Sequence, residues 1–405
     1  MTENIKANIE YRTSNIELRG AAFPVRTLLR CSMFNLRCST FVFICVLAIS
    51  PAFAPAARAD VPPTTQPATQ PAGPLAGLEF LEGDAAKAAI VDDSLDPYFS
   101  RLVPHEMTAK TGSPITGDTP EAQVAECKRR YQAAVVDFTD DEKQALTYFI
   151  SKAQAALQRD YPVFGNTPWS IIKTKSSLEG GMAYTRGGHI ILPEDVLARF
   201  SMFRKRLKDR SLPIGASLLI HEQTHVLERL HPALFTSLFT DTFHFVHAKK
   251  IEPNSWLTDR QLINPDGTVA DWVYPLKEDG KDSFILPLIA FDDPNSTDLA
   301  HSITMIAVTM EPTHDGFKAR VGPDGNPMVR PLAEVRAYMQ GPGAEQNNYH
   351  PNEIIADRFA EVIVFDDLMT PATKAQLAGA SADKLEGRLK PIRDWARTAF
   401  AMPVK

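Results

Sequence analysis

The sequence predicts an α+β fold, and three observations carry that prediction. Apolar residues recur at helical spacing in several segments. A glycine-centred hairpin joins two short alternating runs near residue 187, and a block from about 250 to 345 alternates like an antiparallel sheet. The expected architecture is a small mixed sheet with helices packed on it, an antiparallel β insertion at about 250–345 and a helical C-terminal tail.

The chain opens on what reads as a targeting segment. Arg26, Arg30 and Arg37 precede an apolar run from Phe41 to Ile49, and Pro51 then leads into the small-residue stretch Ala52 to Ala59. A positive segment, a short apolar core and an Ala-x-Ala site define a secretory signal peptide. Residues 1–59 are therefore expected to be cleaved near Ala59, with Met1 or Met33 as the start. The apolar run is far shorter than the roughly 20 residues a membrane span requires. The mature chain is expected to be secreted or periplasmic, with no stable membrane span. Residues 60–76, rich in Pro, Thr and Gln, form a linker. Cys31, Cys38 and Cys45 fall in the presequence, so Cys127 alone remains and no internal disulfide can form.

A mainly helical part is expected over 77–165. Glu121 to Val136 and Asp140 to Leu157 have helical spacing, the second with Ala145, Leu146, Phe149, Ile150, Ala153 and Leu157 on one stripe. Leu78 to Pro120 shows no regular pattern. A second part spans 166–405. Trp169 to Lys173, Met182 to Thr185 and His189 to Leu192 read as strands, the last two joined by Arg186-Gly187-Gly188. Glu194 to Lys208 is helical. A further helix begins after Ser211-Leu212-Pro213, with Ser as cap and Pro in the first turn, and stops at His231-Pro232. Within the insertion, Asn264-Pro265-Asp266-Gly267 and Gly322-Pro323-Asp324-Gly325 are turn signals. Trp272 to Leu276, Phe284 to Phe291, Ile303 to Met310 and Phe317 to Val321 read as its strands. Helices over Asn352 to Leu368, Thr373 to Ala378 and Ala382 to Phe400 close the chain.

A net charge of −6 offers no basic field, which argues against nucleic acid as a partner. Arg204-Lys205-Arg206 reads as the solvated face of a helix.

The chemistry lies in His221-Glu222-Gln223-Thr224-His225. Residues four apart share one helical face, so both imidazoles can reach one ion. Glu222, next to the first His, is placed to contact a metal-bound water and to act as general base. A catalytic Zn2+ needs a third protein ligand and an open position, and it lowers the pKa of its water toward 7. The segment Tyr349 to Glu361 supplies a candidate. Pro351 favours a first helical turn, and Glu353 and Asp357 then lie one turn apart on one face. Glu353 can bind the metal while Asp357 accepts the outer N–H of a ligating His. Ile354, Ile355, Phe359 and Val362 would form the opposite, buried stripe.

HExxH followed by Asn352-Glu353-Ile354-Ile355-Ala356-Asp357, an NExxAD sequence, resembles the gluzincin zinc metallopeptidases. The resemblance implies a zincin-like core in which His221, His225 and Glu353 hold one Zn2+, Glu222 is the base and Asp357 braces a ligating His. It implies zinc-dependent hydrolysis of a peptide or protein substrate. The 127 residues between His225 and Glu353 depart from the family's shorter spacing. The related HExxHxxGxxH pattern is not met, because Glu228 stands at the glycine position and His231 reads as a helix end.

Amide hydrolysis develops an oxyanion that a side-chain donor can stabilise. Tyr349, just before the ligand helix, is the first choice, and His350, His301, His314 and Tyr338 are alternatives. Gly180-Gly181-Met182-Ala183-Tyr184 resembles the glycine-methionine-glutamate motif of zinc aminopeptidases, but Ala183 stands where that motif's Glu would grip a free amine. The hairpin either offers a strand edge to an extended peptide or is structural. Two rival readings remain open. One is an exported protein that binds metal without catalysis and recognises peptides or envelope components. The other is a structural exported protein whose motif is coincidental. The intact Glu222 argues against the first, and the separate NExxAD helix against the second.

Overall fold

Four strands build the sheet beneath the candidate site. In the computed structural model, which describes residues 77–278, 280–342 and 347–401, these are β1 (Leu78–Leu81), β2 (Trp169–Thr174), β3 (Tyr184–Arg186) and β4 (His189–Pro193). The order is β1-β2-β4-β3, with β1 and β4 parallel to β2 and β3 antiparallel to β4. This is the small mixed sheet the sequence predicts, and Gly187 turns its hairpin with φ +53°. The signal peptide expected at 1–59 and the linker expected at 60–76 lie outside the described residues.

Alternation along these strands feeds two cores. Trp169, Ile171, Ile190 and Leu192 face helices Asp140–Asp160, Leu212–Leu230 and Pro351–Ile363, meeting Phe149, Ile150, Leu219, Leu227 and Phe359. Ile172 and Ile191 face the other way, toward Tyr98, Phe99, Cys127 and Tyr131. Each such side chain contributes about 1.5–3 kcal/mol when fully buried. A capping box formed by Thr139 and Glu142 starts the Asp140–Asp160 helix. That helix approaches Leu212–Leu230 closely at Gly215, where an added Cβ would lie 2.5 Å from Phe149 Cε1.

Leu78 to Pro120, without a readable pattern, contains β1 and the helices Gly83–Ile90 and Pro104–Thr111. The first of these helices buries only Ala86 and Ile90, too few positions to print a stripe. Because β1 completes the sheet, residues 77–165 are woven into the same layer as those that follow.

The insertion is antiparallel, as expected. β5 (Val246–His247), β6 (Trp272–Glu278), β7 (Lys281–Phe291), β8 (Ile303–Pro312), β9 (Phe317–Ala319) and β10 (Val329–Pro331) form one sheet of order β10-β8-β7-β6-β5, with β9 also paired to β8. Leu286, Leu288, Val308 and Met310 make its own core. Leu276, Ile285 and Ala307 join the main one and fasten the sheet to the helices.

Two local expectations need correction. Ser211 does not cap the next helix: its hydroxyl donates to the Lys208 carbonyl at 2.6 Å. The two C-terminal helices are one, Pro371–Ala399, which takes up Gly379 and Gly387, at about 1 kcal/mol each, and Pro391 within a single run. Among the described residues, no helix is long and apolar enough to cross a membrane.

Candidate metal centre

Helices Leu212–Leu230 and Pro351–Ile363 pack against each other in the interior. The first is buried without a break from Leu219 to Leu227, and the second along nearly its whole length. Ile354, Ile355, Phe359 and Val362 are indeed buried. The opposite face is buried too, because it carries the polar site.

The crossing brings three donor atoms together. His221 Nε2 lies 3.1 Å from His225 Nε2. Glu353 Oε2 is 3.5 Å from His221 Nε2, and Glu353 Oε1 is 3.6 Å from His225 Nε2. A four-coordinate ion with bonds of about 2.0–2.2 Å spaces its ligands about 3.4 Å apart, so this nitrogen, nitrogen and oxygen set fits a small cation. Asp357 Oδ1 accepts the His221 Nδ1 proton at 2.8 Å, which leaves Nε2 turned toward the other two donors. His225 Nδ1 and Glu222 Oε2 are buried without a partner.

Electrostatics point the same way. Burial pushes His225 down to about 3, so it is neutral, the form that ligates. Burial also works against protonation of His221, but Asp357 and Glu353 outweigh it and raise that imidazole well above its ordinary value. A proton there supplies positive charge where a cation would. Burial would raise Glu353, yet the two imidazoles and Tyr349 bring it down to about 2. Glu222 is raised well above the usual range, by burial first and then by the Asp266 carboxylate. A cation beside Glu222 would draw it back down.

Tyr349 stands against the trio, hydrogen-bonded to Glu353 and accepting from Asn264 Nδ2 at 2.5 Å. His350 Nδ1 is tied to Asn352 at the helix start, Tyr338 donates to the Asn348 carbonyl, His301 is exposed beside Asp298, and His314 is exposed.

A strap over residues 261–268 covers the centre, and no reading of motifs shows it. Leu262 N–H donates to the Ile289 carbonyl at 3.0 Å. Ile263 is gripped at both backbone groups: its N–H donates to Glu106 Oε1 at 2.7 Å, and its carbonyl accepts from Lys110 Nζ at 3.0 Å. Asn264 donates to Glu353 Oε1 at 2.8 Å. Arg229 Nη2 donates to the carbonyls of Pro265 and Asp266 at 2.9 and 3.2 Å. Thr268 Oγ1 donates to Asp96 at 2.7 Å. Under this cover His221, Glu222, His225 and Glu353 are only 8, 3, 0 and 4% exposed.

The strap also corrects the view of the hairpin. The Thr185 N–H on β3 is taken by Asp266 Oδ1 at 2.6 Å, so that edge is not offered to a peptide. Gly180 and Gly181 take left-handed φ of 63° and 73° after Glu179 at 50°. This turn brings Glu179 to Lys110, 3.0 Å away, and accounts for the paired glycines structurally.

Comparison with family models, with curated proteins and with solved structures finds no match. The assignment of the site rests on the geometry just described.

Proposed function

We propose that this chain is an exported zinc-dependent metallopeptidase of gluzincin type, with a zincin-like core around His221, His225 and Glu353. The observation that carries the proposal is the convergence of those three donors at 3.1–3.6 Å, with Asp357 behind His221 and Glu222 in the next position on the helix. A His2Glu donor set suits zinc over the harder, all-oxygen cations. Export is supported by the charge, apolar run and Ala-x-Ala site of residues 1–59.

Bound zinc would act as a Lewis acid and acidify a water for attack on a carbonyl. With such a group in place, Glu222 would be the residue to take up the proton of an attacking water and hand it to the leaving nitrogen as the C–N bond breaks. One water is consumed, and a carboxylate and an amine are released. Asp357 holds His221 in the tautomer whose Nε2 is free. Tyr349 is the side chain assigned to the oxyanion, and its hydroxyl would have to turn from the Glu353 carboxylate to donate there.

The closed strap favours a second reading, a metal-binding exported protein without catalysis, because the donors are nearly inaccessible. The two are separated by metal content and peptide-library cleavage of the purified chain. In the first, one zinc binds, Glu222→Gln keeps it and loses cleavage, and Glu353→Ala loses the metal. Zinc binding without cleavage would favour the second. No metal in the intact protein, even when supplied, would overturn both.

A further inference from the structure

We infer that Asn264, on the strap, is a positioning residue for the third metal ligand: its carboxamide fixes the Glu353 carboxylate in the orientation that meets the two imidazoles. The inference rests on the metal reading above and extends it to a residue outside both motif helices.

The amide's orientation is set from within its own turn. Asn264 Oδ1 accepts the backbone N–H of Asp266 at 3.0 Å, and the Asn264 carbonyl accepts the Gly267 N–H at 3.2 Å. This is an Asx turn, so Oδ1 is already used and Nδ2 must face the other way. Nδ2 carries two protons and has two acceptors in reach, Glu353 Oε1 at 2.8 Å and Tyr349 Oη at 2.5 Å. Exchanging the amide's oxygen and nitrogen would set donor against donor at Asp266 N–H and acceptor against acceptor at Glu353, which settles the assignment. The turn cannot drift, because Ile263 just before it is held by Glu106 and Lys110, and Asp266 just after it by Thr185. Gly267 completes the fit: an added Cβ there would lie 2.5 Å from Asn352 Nδ2, next to the ligand itself.

A carboxylate on a helix otherwise swings about its own side-chain torsions. A neutral donor on Oε1 fixes that rotation without adding a charge that competes with the ion. Such partners of metal ligands are worth about 10–100-fold in metal affinity.

The test is metal affinity and ligand field in the full mature chain, read by Co2+ and Zn2+ competition with a chromophoric chelator and by the visible Co2+ spectrum. Asn264→Ala removes the amide. Asn264→Ser also removes it but leaves a hydroxyl that can accept from Asp266 N–H, so the turn survives, and this variant decides if the alanine form does not fold. The expected result is a folded variant that binds either ion about 10–100-fold more weakly and has an altered Co2+ spectrum. Mere loosening of the fold would lower the melting temperature and leave the spectrum of the bound ion unchanged. Folded variants with wild-type affinity and spectrum would overturn the role of Asn264 while leaving the metal centre standing. A wild-type chain that takes up neither ion would overturn the metal reading, and this inference with it.

Discussion

Removing the Lys110 cation tests whether the strap is anchored by buried charge. Its Nζ lies 3.0 Å from Glu179 Oε2, 3.7 Å from Glu106 Oε1 and 3.0 Å from the Ile263 carbonyl; all three side chains are buried, and burial opposes ionisation of Glu106. Lys110→Met keeps the length of the side chain and removes the charge. Breaking a buried pair from one side costs about 3–5 kcal/mol, because the surviving carboxylate is left uncompensated. The hydroxyls of Tyr98 and Tyr131 still donate to Glu179, which argues for the lower end, about 3 kcal/mol. The cluster can shed its excess charge by binding a proton, and that becomes cheaper by about 1.4 kcal/mol for each unit of falling pH. Urea unfolding of wild type and variant should therefore show a larger loss near about pH 8 than near about pH 5. Adding Glu179→Gln should recover most of it, since both halves of the pair are then gone. A loss under about 1 kcal/mol at both pH values, or no recovery in the double variant, would refute the anchoring argument.

Other expectations are narrower. Asp357→Ala should weaken zinc binding about 10–100-fold by freeing the His221 ring, and unchanged affinity in a metal competition assay would remove Asp357 from the centre. Gly215→Ala would drive a Cβ to 2.5 Å from Phe149 Cε1. Overpacking of about 1–3 kcal/mol should exceed alanine's helix advantage of about 1 kcal/mol, and a raised melting temperature would contradict the close approach. Burial pushes Glu106 up from 4.5 to about 8. Its folded value exceeds the ordinary one, so the stabilisation is full below about pH 4.5 and is lost as pH rises through about 8. Glu106→Gln should flatten that part of the stability profile, and a profile unchanged by the substitution would argue against a protonated Glu106.

What could be read in advance was what short-range periodicity encodes. His221 and His225 share a helical face by spacing alone, as do Glu353 and Asp357, and the hairpin at Gly187-Gly188 and the strands of the insertion follow from turn residues and alternation. Asn264 was visible only as part of a turn. Its Asx bond is local, but its amide partner Glu353 is 89 positions away, beyond any local rule. Glu106 and Lys110, four apart on a helix, look like an ordinary solvent-facing pair, and only the tertiary fold turns them inward onto Ile263. The C-terminal helix shows the opposite case, since Gly379, Gly387 and Pro391 are breakers by local rules and lie within one continuous run.

Burial beneath the strap gives the proposed centre a place in time as well as in space. An unfolded chain holds His221 and His225 apart from Glu353, because 127 residues separate the second imidazole from the carboxylate and only the finished fold closes that distance. The full donor set therefore comes into being where folding ends. Geometry, ligand type and local availability together decide which divalent metal such a site takes. On the metal reading, the ligands set which ions fit, and the surroundings in which this chain completes its fold set which of those is at hand to be enclosed.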